Sequence, residues 1–500
     1  MSRLAAAAAS VRRRAGPSGP GASRKPAAPR PTRGTAAAAP RDRVLDCAAM
    51  AGRRLLILGG GFGGLDVARA VGRSRAAREY WDTLLVDKEN FFQFNPLLPA
   101  VAVGAVETRH IVYPLRAMAQ HRHIRFQKNK VMAIDLARRE VRLHNDLVER
   151  FEVLVVAVGS ETNYYDIPGA VEHTRPFKTI VDAMTLRARV VELFEMAEQA
   201  ETRDQRRRLL SFVVVGGGVT GVEVAAELME MARETLLPKY GSLHRSDVSV
   251  TVLEAGDRLV NTARPAHSAY VQRFLERRGV QVRLQAPVVR VDPRCVRLAD
   301  GSVAEGFTLI WTAGVRPPQV VRGLPLAHAD DGRVRVDPRL RALDPDGRPV
   351  EDVFVIGDCG AVADGRGGYL PRLAQVAVAT GRHVGQELVA RARARAPARF
   401  GYKGKGYIIS LGKHSSVVEL MGVPFSGRLA WLLWAAYYLI TMVGFRKQLE
   451  VGLDHLTHLL FEHDSSQILN RRQILSDEEL NLSLGAPEPR SAEDPDRGAA

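Results

Sequence analysis

Apolar positions fall along the chain in short unbroken runs, several of them ending in glycine and followed by helical spacing. Leu55-Leu56-Ile57-Leu58 meets Gly59-Gly60-Gly61-Phe62-Gly63-Gly64, and residues 65–71 then read as a helix. Four apolar residues without alternation predict a strand covered on both faces, as in a parallel sheet. The plan recurs at Phe212-Val213-Val214-Val215, the turn Gly216-Gly217-Gly218-Val219-Thr220-Gly221 and a helix expected to reach about residue 237. Further strand-like runs stand at residues 83–86, 153–157, 248–253, 308–311 and 353–356. Residues 182–208 and 372–392 have helical composition, and 124–145 read as short strands with turns.

Near the end of the chain the pattern changes. Residues 429–445 carry no charge and are flanked by Arg428 and by Arg446-Lys447. Seventeen residues fall short of the roughly 20 that a spanning helix needs. Trp431, Trp434, Tyr437 and Tyr438 recur at helical spacing, which predicts a helix lying in a membrane interface and anchored by its rings. A second amphipathic helix is expected over 451–461, with Leu453, Leu456, Leu459 and Leu460 on one face. A buried docking helix and a true span are the competing readings.

Composition narrows the picture. Five hundred residues suit two or three domains with extensions. The net charge is +16, but residues 1–50 hold nine Arg and one Lys against Asp42 and Asp46, which is half of it. The basicity is partly a tail effect, so no nucleic-acid groove is inferred, and the remainder suits an anionic membrane surface. Residues 1–50 are rich in Ala, Pro, Gly, Ser and Arg and read as disordered. They are either an organelle transit peptide or a stretch upstream of a start at Met50. Cys47, Cys295 and Cys359 have no close spacing, which predicts neither a metal site nor the redox pair of a disulfide reductase.

The glycine turns carry the first candidate chemistry. Gly59 permits the tight turn, Gly61 admits a pyrophosphate to the backbone and Gly64 lets helix and strand pack closely, with Gly216, Gly218 and Gly221 as counterparts. Asp87, 23 residues past Gly64, is placed to accept from ribose hydroxyls. Glu254 lies 33 residues past Gly221, an excess that a loop at 238–245 absorbs. A carboxylate there favours NADH over NADPH, although Arg258 is near. Gly314 ends a strand where the chain can pass a nucleotide. Asp358, in a Gly-Asp pair, could accept from ribityl hydroxyls or simply close a turn. Glu223 sits in the first turn of its helix, where the dipole alone favours a carboxylate. Glu227 shares its face.

The two turns, Asp87, Asn95-Pro96-Leu97-Leu98, Gly159-Ser160, Ile167-Pro168-Gly169, Glu223, Glu254, Trp311-Thr312-Ala313-Gly314, Gly357-Asp358, Ala374-Gln375 and the aromatic helix together resemble type II NADH dehydrogenases, the alternative NADH:quinone oxidoreductases. The resemblance covers residues 53–465 and is nearer to bacterial members, with no calcium-binding insertion. It implies an α/β fold of two Rossmann-like dinucleotide-binding domains, the NADH domain inserted in the FAD domain, plus C-terminal amphipathic membrane-associating helices. The expected divisions are 1–50 (extension), 51–205 and 326–395 (FAD), 206–325 (NADH), 396–475 (membrane-associating) and 476–500 (disordered tail).

The resemblance further implies FAD on the first turn with Asp358, NADH on the second, and Glu223 near flavin and nicotinamide. It places Gln375 at the quinone side, where positioning by hydrogen bonds is its expected role. Members commonly have Pro-Pro-Thr before Ala-Gln, whereas Pro371-Arg372-Leu373 stands here, which alters the quinone entrance. The implied activity passes hydride from NADH to FAD and two electrons to a membrane quinone, without proton pumping. Contact with the bilayer surface would run through residues 429–465, and a homodimer is left open. The expected place is the cytoplasmic face of a bacterial membrane, or a mitochondrial or plastid membrane if residues 1–50 are a transit peptide. The rivals are a soluble flavin reductase of a ferredoxin, a rubredoxin or oxygen, and a non-enzymatic nucleotide-sensing module.

Overall fold

Leu55, Leu56, Ile57 and Leu58 are all completely buried, as a central parallel strand between two helical layers requires. In the computed structural model, which describes residues 53–396, 398–442, 445–460, 469 and 471–475, this strand (Arg53–Leu58) is flanked by Trp81–Asp87 and Val153–Val156. The six-stranded sheet runs Arg341–Leu343, Pro349–Val355, Val153–Val156, Arg53–Leu58, Trp81–Asp87 and Arg125–Lys128. All its pairings are parallel except that of Arg341–Leu343. The expectations for residues 1–50 and 476–500 lie outside the described residues.

A second sheet of five parallel strands runs Arg175–Pro176, Thr308–Trp311, Ser211–Val215, Ser249–Leu253 and Val280–Arg283. The chain builds it between residues 175 and 311 and then returns, so Val353 pairs with Leu154 although 199 positions separate them. The first strand of this sheet, at Arg175–Pro176, precedes the division expected at 206. In both sheets the glycine-turn strand has parallel neighbours on either side, which opens a crevice at its carboxyl end.

The helix after the first turn is Phe62–Arg73, and Ala374–Ala392 packs across it. Their approach is close because a Cβ at Gly381 would stand 2.2 Å from the Gly63 carbonyl oxygen. The helical stretch after residue 180 is Ile180–Gln199, opened by a reciprocal cap between Thr179 and Asp182, with Arg203–Leu209 beyond it. The second turn feeds Val219–Glu230, then a wider π-helical turn over Met231–Leu236, and ends near Pro238 as expected.

The C-terminal region contains a three-stranded antiparallel sheet that the hydrophobic pattern did not suggest: Gly406–Ser410, Ser416–Leu420 and Val423–Gly427. Arg428–Thr441 and Phe445–Leu460 follow as helices, the first ending four residues earlier and the second starting six residues earlier than expected. Among the described residues, no helix is long and apolar enough to cross a membrane.

Candidate functional site

The two glycine turns are built alike down to single hydrogen bonds. At the first, Gly59 has φ +99°, and a Cβ on Gly64 would stand 1.9 Å from the Gly59 carbonyl oxygen. At the second, Gly216 has φ +107° and Gly221 would strike the Gly216 carbonyl oxygen at 1.8 Å. A side chain cannot replace these glycines without displacing backbone. Gly61 and Gly218 differ, because a Cβ at either meets no protein atom within 4 Å. Each caps a helix N-terminus with no side-chain hydrogen bond, an arrangement that fits a pyrophosphate on backbone N–H groups.

Each turn is closed by a carboxylate at the end of the next strand. Gly60 N–H donates to Asp87 Oδ2 at 2.5 Å and Glu89 N–H to Oδ1 at 2.7 Å. Gly217 N–H donates to Glu254 Oε2 and Gly256 N–H to Oε1, both at 2.7 Å. Every oxygen keeps a further lone pair for a ribose hydroxyl. Burial pushes the Asp87 carboxyl above its ordinary value, against the pull of its two backbone bonds. Arg258 donates to the Asn261 carbonyl at 2.9 Å, so its guanidinium is engaged with its own loop. Residues for two dinucleotides are therefore present and fit FAD and a pyridine nucleotide.

Asp358 lies at the carboxyl end of Pro349–Val355, with its Oδ2 accepting from Ser160 Oγ at 2.6 Å. Lys178 Nζ donates to the same hydroxyl at 2.9 Å. Burial lowers the Lys178 pKa, while the charge of Asp358 opposes that shift. Lys178 escaped the sequence reading; its one signal was a cation directly before the capping Thr179. Gly314 has φ +89°, and its missing side chain makes room for the Tyr165 hydroxyl, which would be 2.1 Å from a Cβ. Cys359 is fully buried and donates to the Gly159 carbonyl; burial pushes its thiol up to about 12, so it stays protonated.

The first C-terminal strand joins the two candidate catalytic residues. Gln375 Nε2 donates to the Gly406 carbonyl at 2.9 Å, and Ser410 N–H donates to Glu223 Oε1 at 2.9 Å. One strand, Gly406–Ser410, is thus held at one end from the first nucleotide unit and at the other from the second. Glu223 is buried, and loss of water pushes its carboxyl up to about 8, with the Ser410 bond pulling the other way. The Tyr438 hydroxyl is raised well above its ordinary value, mostly by burial and then by Glu223 beside it. Arg372 pairs with Asp331 at 2.9 Å and shares that carboxylate with Arg333 at 2.8 Å.

Aromatic rings connect the first glycine turn to the C-terminal helices. Phe62 packs edge-on to Phe92 at 4.9 Å, Phe94 meets Tyr438 at 5.7 Å, and Tyr438 meets Trp434 at 5.5 Å. This corrects the expectation that the aromatic face meets lipid. Trp431 is 8% and Trp434 4% exposed, and Tyr437 and Tyr438 are partly buried. Apart from Phe445 at 73%, the exposed large apolar positions of the two helices are aliphatic, with Ile440 at 77% and Leu453 at 61%. Large flat rings gain more by filling the space over the antiparallel sheet and against Phe94 than by facing solvent.

A family model described as pyridine nucleotide-disulphide oxidoreductase matches residues 53–381. The chain is 31% identical over 421 residues to the type II NADH:quinone oxidoreductase NdhA of Mycobacterium tuberculosis, covering 80% of this chain and 86% of that protein. It is 28% identical over 452 residues to the mitochondrial internal alternative NAD(P)H-ubiquinone oxidoreductase A1 of Arabidopsis thaliana, covering 83% and 86%. Its fold matches the structure of NDH2 from Plasmodium falciparum in complex with NADH, with a TM-score of 0.75 and 17% identity, over 83% of this chain and 99% of that one.

Burial of Glu223 has a measurable cost. In the folded protein this carboxyl keeps its proton to about pH 8, whereas the ordinary value is 4.5. Folding therefore takes up a proton between those limits, and its contribution to stability falls as pH rises through that window. At pH 7 the difference amounts to about 3 kcal/mol. Glu223→Gln is expected to raise Tm by a few degrees at pH 7 and to flatten the decline of Tm between pH 5 and 8. Thermal melts across that range test this; a lower Tm with an unchanged slope would contradict it.

Proposed function

The chain belongs to the type II NADH:quinone oxidoreductase family of the pyridine nucleotide-disulphide oxidoreductases, and from that premise we propose that it oxidises NADH and reduces a membrane quinone without pumping protons. The observation that carries this reading is the strand Gly406–Ser410, which ties Gln375 and Glu223 together beneath the C-terminal helices. FAD, when bound, supplies hydride acceptance and the storage of two electrons.

The protein's own groups do the rest. The first turn, Asp87 and Asp358 hold FAD, while the second turn and Glu254 hold NADH. Two acceptor oxygens on Glu254 suit paired ribose hydroxyls and repel a 2′-phosphate. Glu223, protonated at neutral pH, can donate where the acceptor is reduced, and the Gln375 amide orients that acceptor. The ring series from Phe62 to Trp434 excludes water from the path between the turn and the helices.

Membrane contact is assigned to the exposed apolar face, aliphatic but for Phe445. Leu429, Leu432, Ile440, Phe445, Leu449 and Leu453 are all more than half exposed on the two helices. Each would gain roughly 1–2 kcal/mol on leaving water for the acyl boundary. Arg428 and the largely exposed Arg446 suit anionic headgroups, although Arg446 also pairs with Glu450 at 2.6 Å, whereas Lys447 is turned inward to Glu450 and the Arg109 carbonyl. The protein is then a peripheral one, on the cytoplasmic face of a bacterial membrane, or on an organellar membrane if residues 1–50 act as a transit peptide.

Purified flavin-loaded protein should oxidise NADH several-fold faster once a short-chain quinone is added, and indifference to quinone would refute the assignment. In the same assay, Glu254→Ala should narrow the preference for NADH over NADPH by about tenfold, the worth of one ribose contact; an unchanged ratio would argue against Glu254. Leu449→Glu combined with Leu453→Glu should release the protein from anionic vesicles in a sedimentation assay while its melting profile is kept. Undiminished binding would remove the aliphatic face from the account.

A further inference from the structure

Reducing a quinone to a quinol takes two electrons and two protons. NADH brings two electrons and one proton as hydride, so each turnover draws one more proton from water. A site walled by rings needs a way to admit it.

The Val219–Glu230 helix carries three carboxyl groups, Glu223, Glu227 and Glu230, at i, i+4 and i+7, all on one face and all buried. At 1.5 Å rise per residue they span about 10 Å. The segment after Gly406–Ser410 is laid along them. Ser410 N–H donates to Glu223 Oε1 at 2.9 Å, and Lys413 N–H donates to Glu230 Oε2 at 2.8 Å. Gly412 lies so close that a Cβ would come within 2.3 Å of Glu230 Oε2.

The two ends of the row differ. At the outer end Arg278 stands 3.8 Å from Glu230 and 2.5 Å from Glu234, whose side chain is half exposed. At the inner end the buried Tyr438 hydroxyl, from the Arg428–Thr441 helix, is within electrostatic reach of Glu223. The charged neighbours of Glu230 are Glu234, Arg278 and Lys413, and the Glu227 carboxyl is bracketed by Glu223 and Glu230. Cationic compensation is concentrated at the outer end. Three enclosed carboxyls so arranged cannot all ionise, and burial raises each of them. Glu223 keeps its proton at neutral pH, and a row of carboxyls so spaced can exchange protons along its length.

We propose that Glu230 and Glu227 relay a proton from solvent at Arg278 and Glu234 to Glu223, from which it reaches the quinone as the electrons do. The relay rests on the quinone-reductase reading. Glu223 is the donor beside the acceptor, and Glu227 and Glu230 act through it. The balance is one NADH, one quinone and one solvent proton in, one NAD+ and one quinol out.

Ferricyanide separates the relay from electron transfer, because it takes electrons without taking protons. In the full-length flavin-loaded protein, Glu227→Gln and Glu230→Gln should each lower the ratio of quinone to ferricyanide turnover by at least about tenfold, the scale of a lost proton-transfer group. Millimolar formate, a small mobile acid, should restore part of the ratio, which it would not do for a packing defect. Followed through a pH titration, the infrared band of protonated carboxyl groups should change in each variant, because each removes one carboxyl and a charged neighbour of the others, a readout independent of turnover. A ratio within about twofold of the parent, a deficit that formate leaves untouched, or an unchanged infrared band would overturn the relay. A parent protein that reduces ferricyanide but no quinone would overturn the quinone reading, and the relay with it.

Discussion

A carboxyl group that folding strips of water must find replacement donors or keep its proton, and this chain uses both outcomes. Asp87 and Glu254 each take a backbone N–H on both oxygens, one from the glycine turn and one from two residues further along the chain. That pattern fixes the carboxylate as an acceptor at the mouth of each nucleotide crevice. Glu223 has one N–H, from Ser410, and remains a holder of protons. The second outcome depends on the C-terminal sheet, because without Gly406–Ser410 the face of the Val219–Glu230 helix would be open to water. The strand that ties Glu223 to Gln375 is therefore also what gives Glu223 its chemistry.

The same sheet explains the orientation of the last helices. Trp431 and Trp434 cover it, with Trp434 reaching towards Tyr438 and His455, and the aliphatic residues are left outward. Rings and chains divide the labour along one helix. The rings turn inward to the core, and Leu429, Leu432 and Ile440 are left as an exposed apolar surface.

Much of this was legible in the sequence because it is written locally. A buried strand, a glycine turn and a helix occupy adjacent residues, so Gly59 to Gly64 and Gly216 to Gly221 declare their geometry without reference to the rest of the chain. Asp87 and Glu254 follow from strand length. The misses are non-local. Gly406–Ser410 pairs through short antiparallel strands whose pattern is diluted by glycine and serine. Lys178 matters because Ser160 lies beside it, 18 positions earlier, and Glu230 because a loop nearly 200 residues away crosses it. Helical spacing placed Trp431, Trp434 and Tyr438 on one side; it could not tell which side the protein would cover, since an aromatic stripe suits a core as well as an interface.

The central claim, that one site is reduced by NADH and reoxidised by quinone, is tested most directly by anaerobic titration of the flavin-loaded protein in a spectrophotometer. The account predicts that one equivalent of NADH bleaches the flavin absorbance and that one equivalent of a short-chain quinone then restores it. Absorbance that NADH leaves unchanged, or that stays bleached after quinone is added, would contradict it.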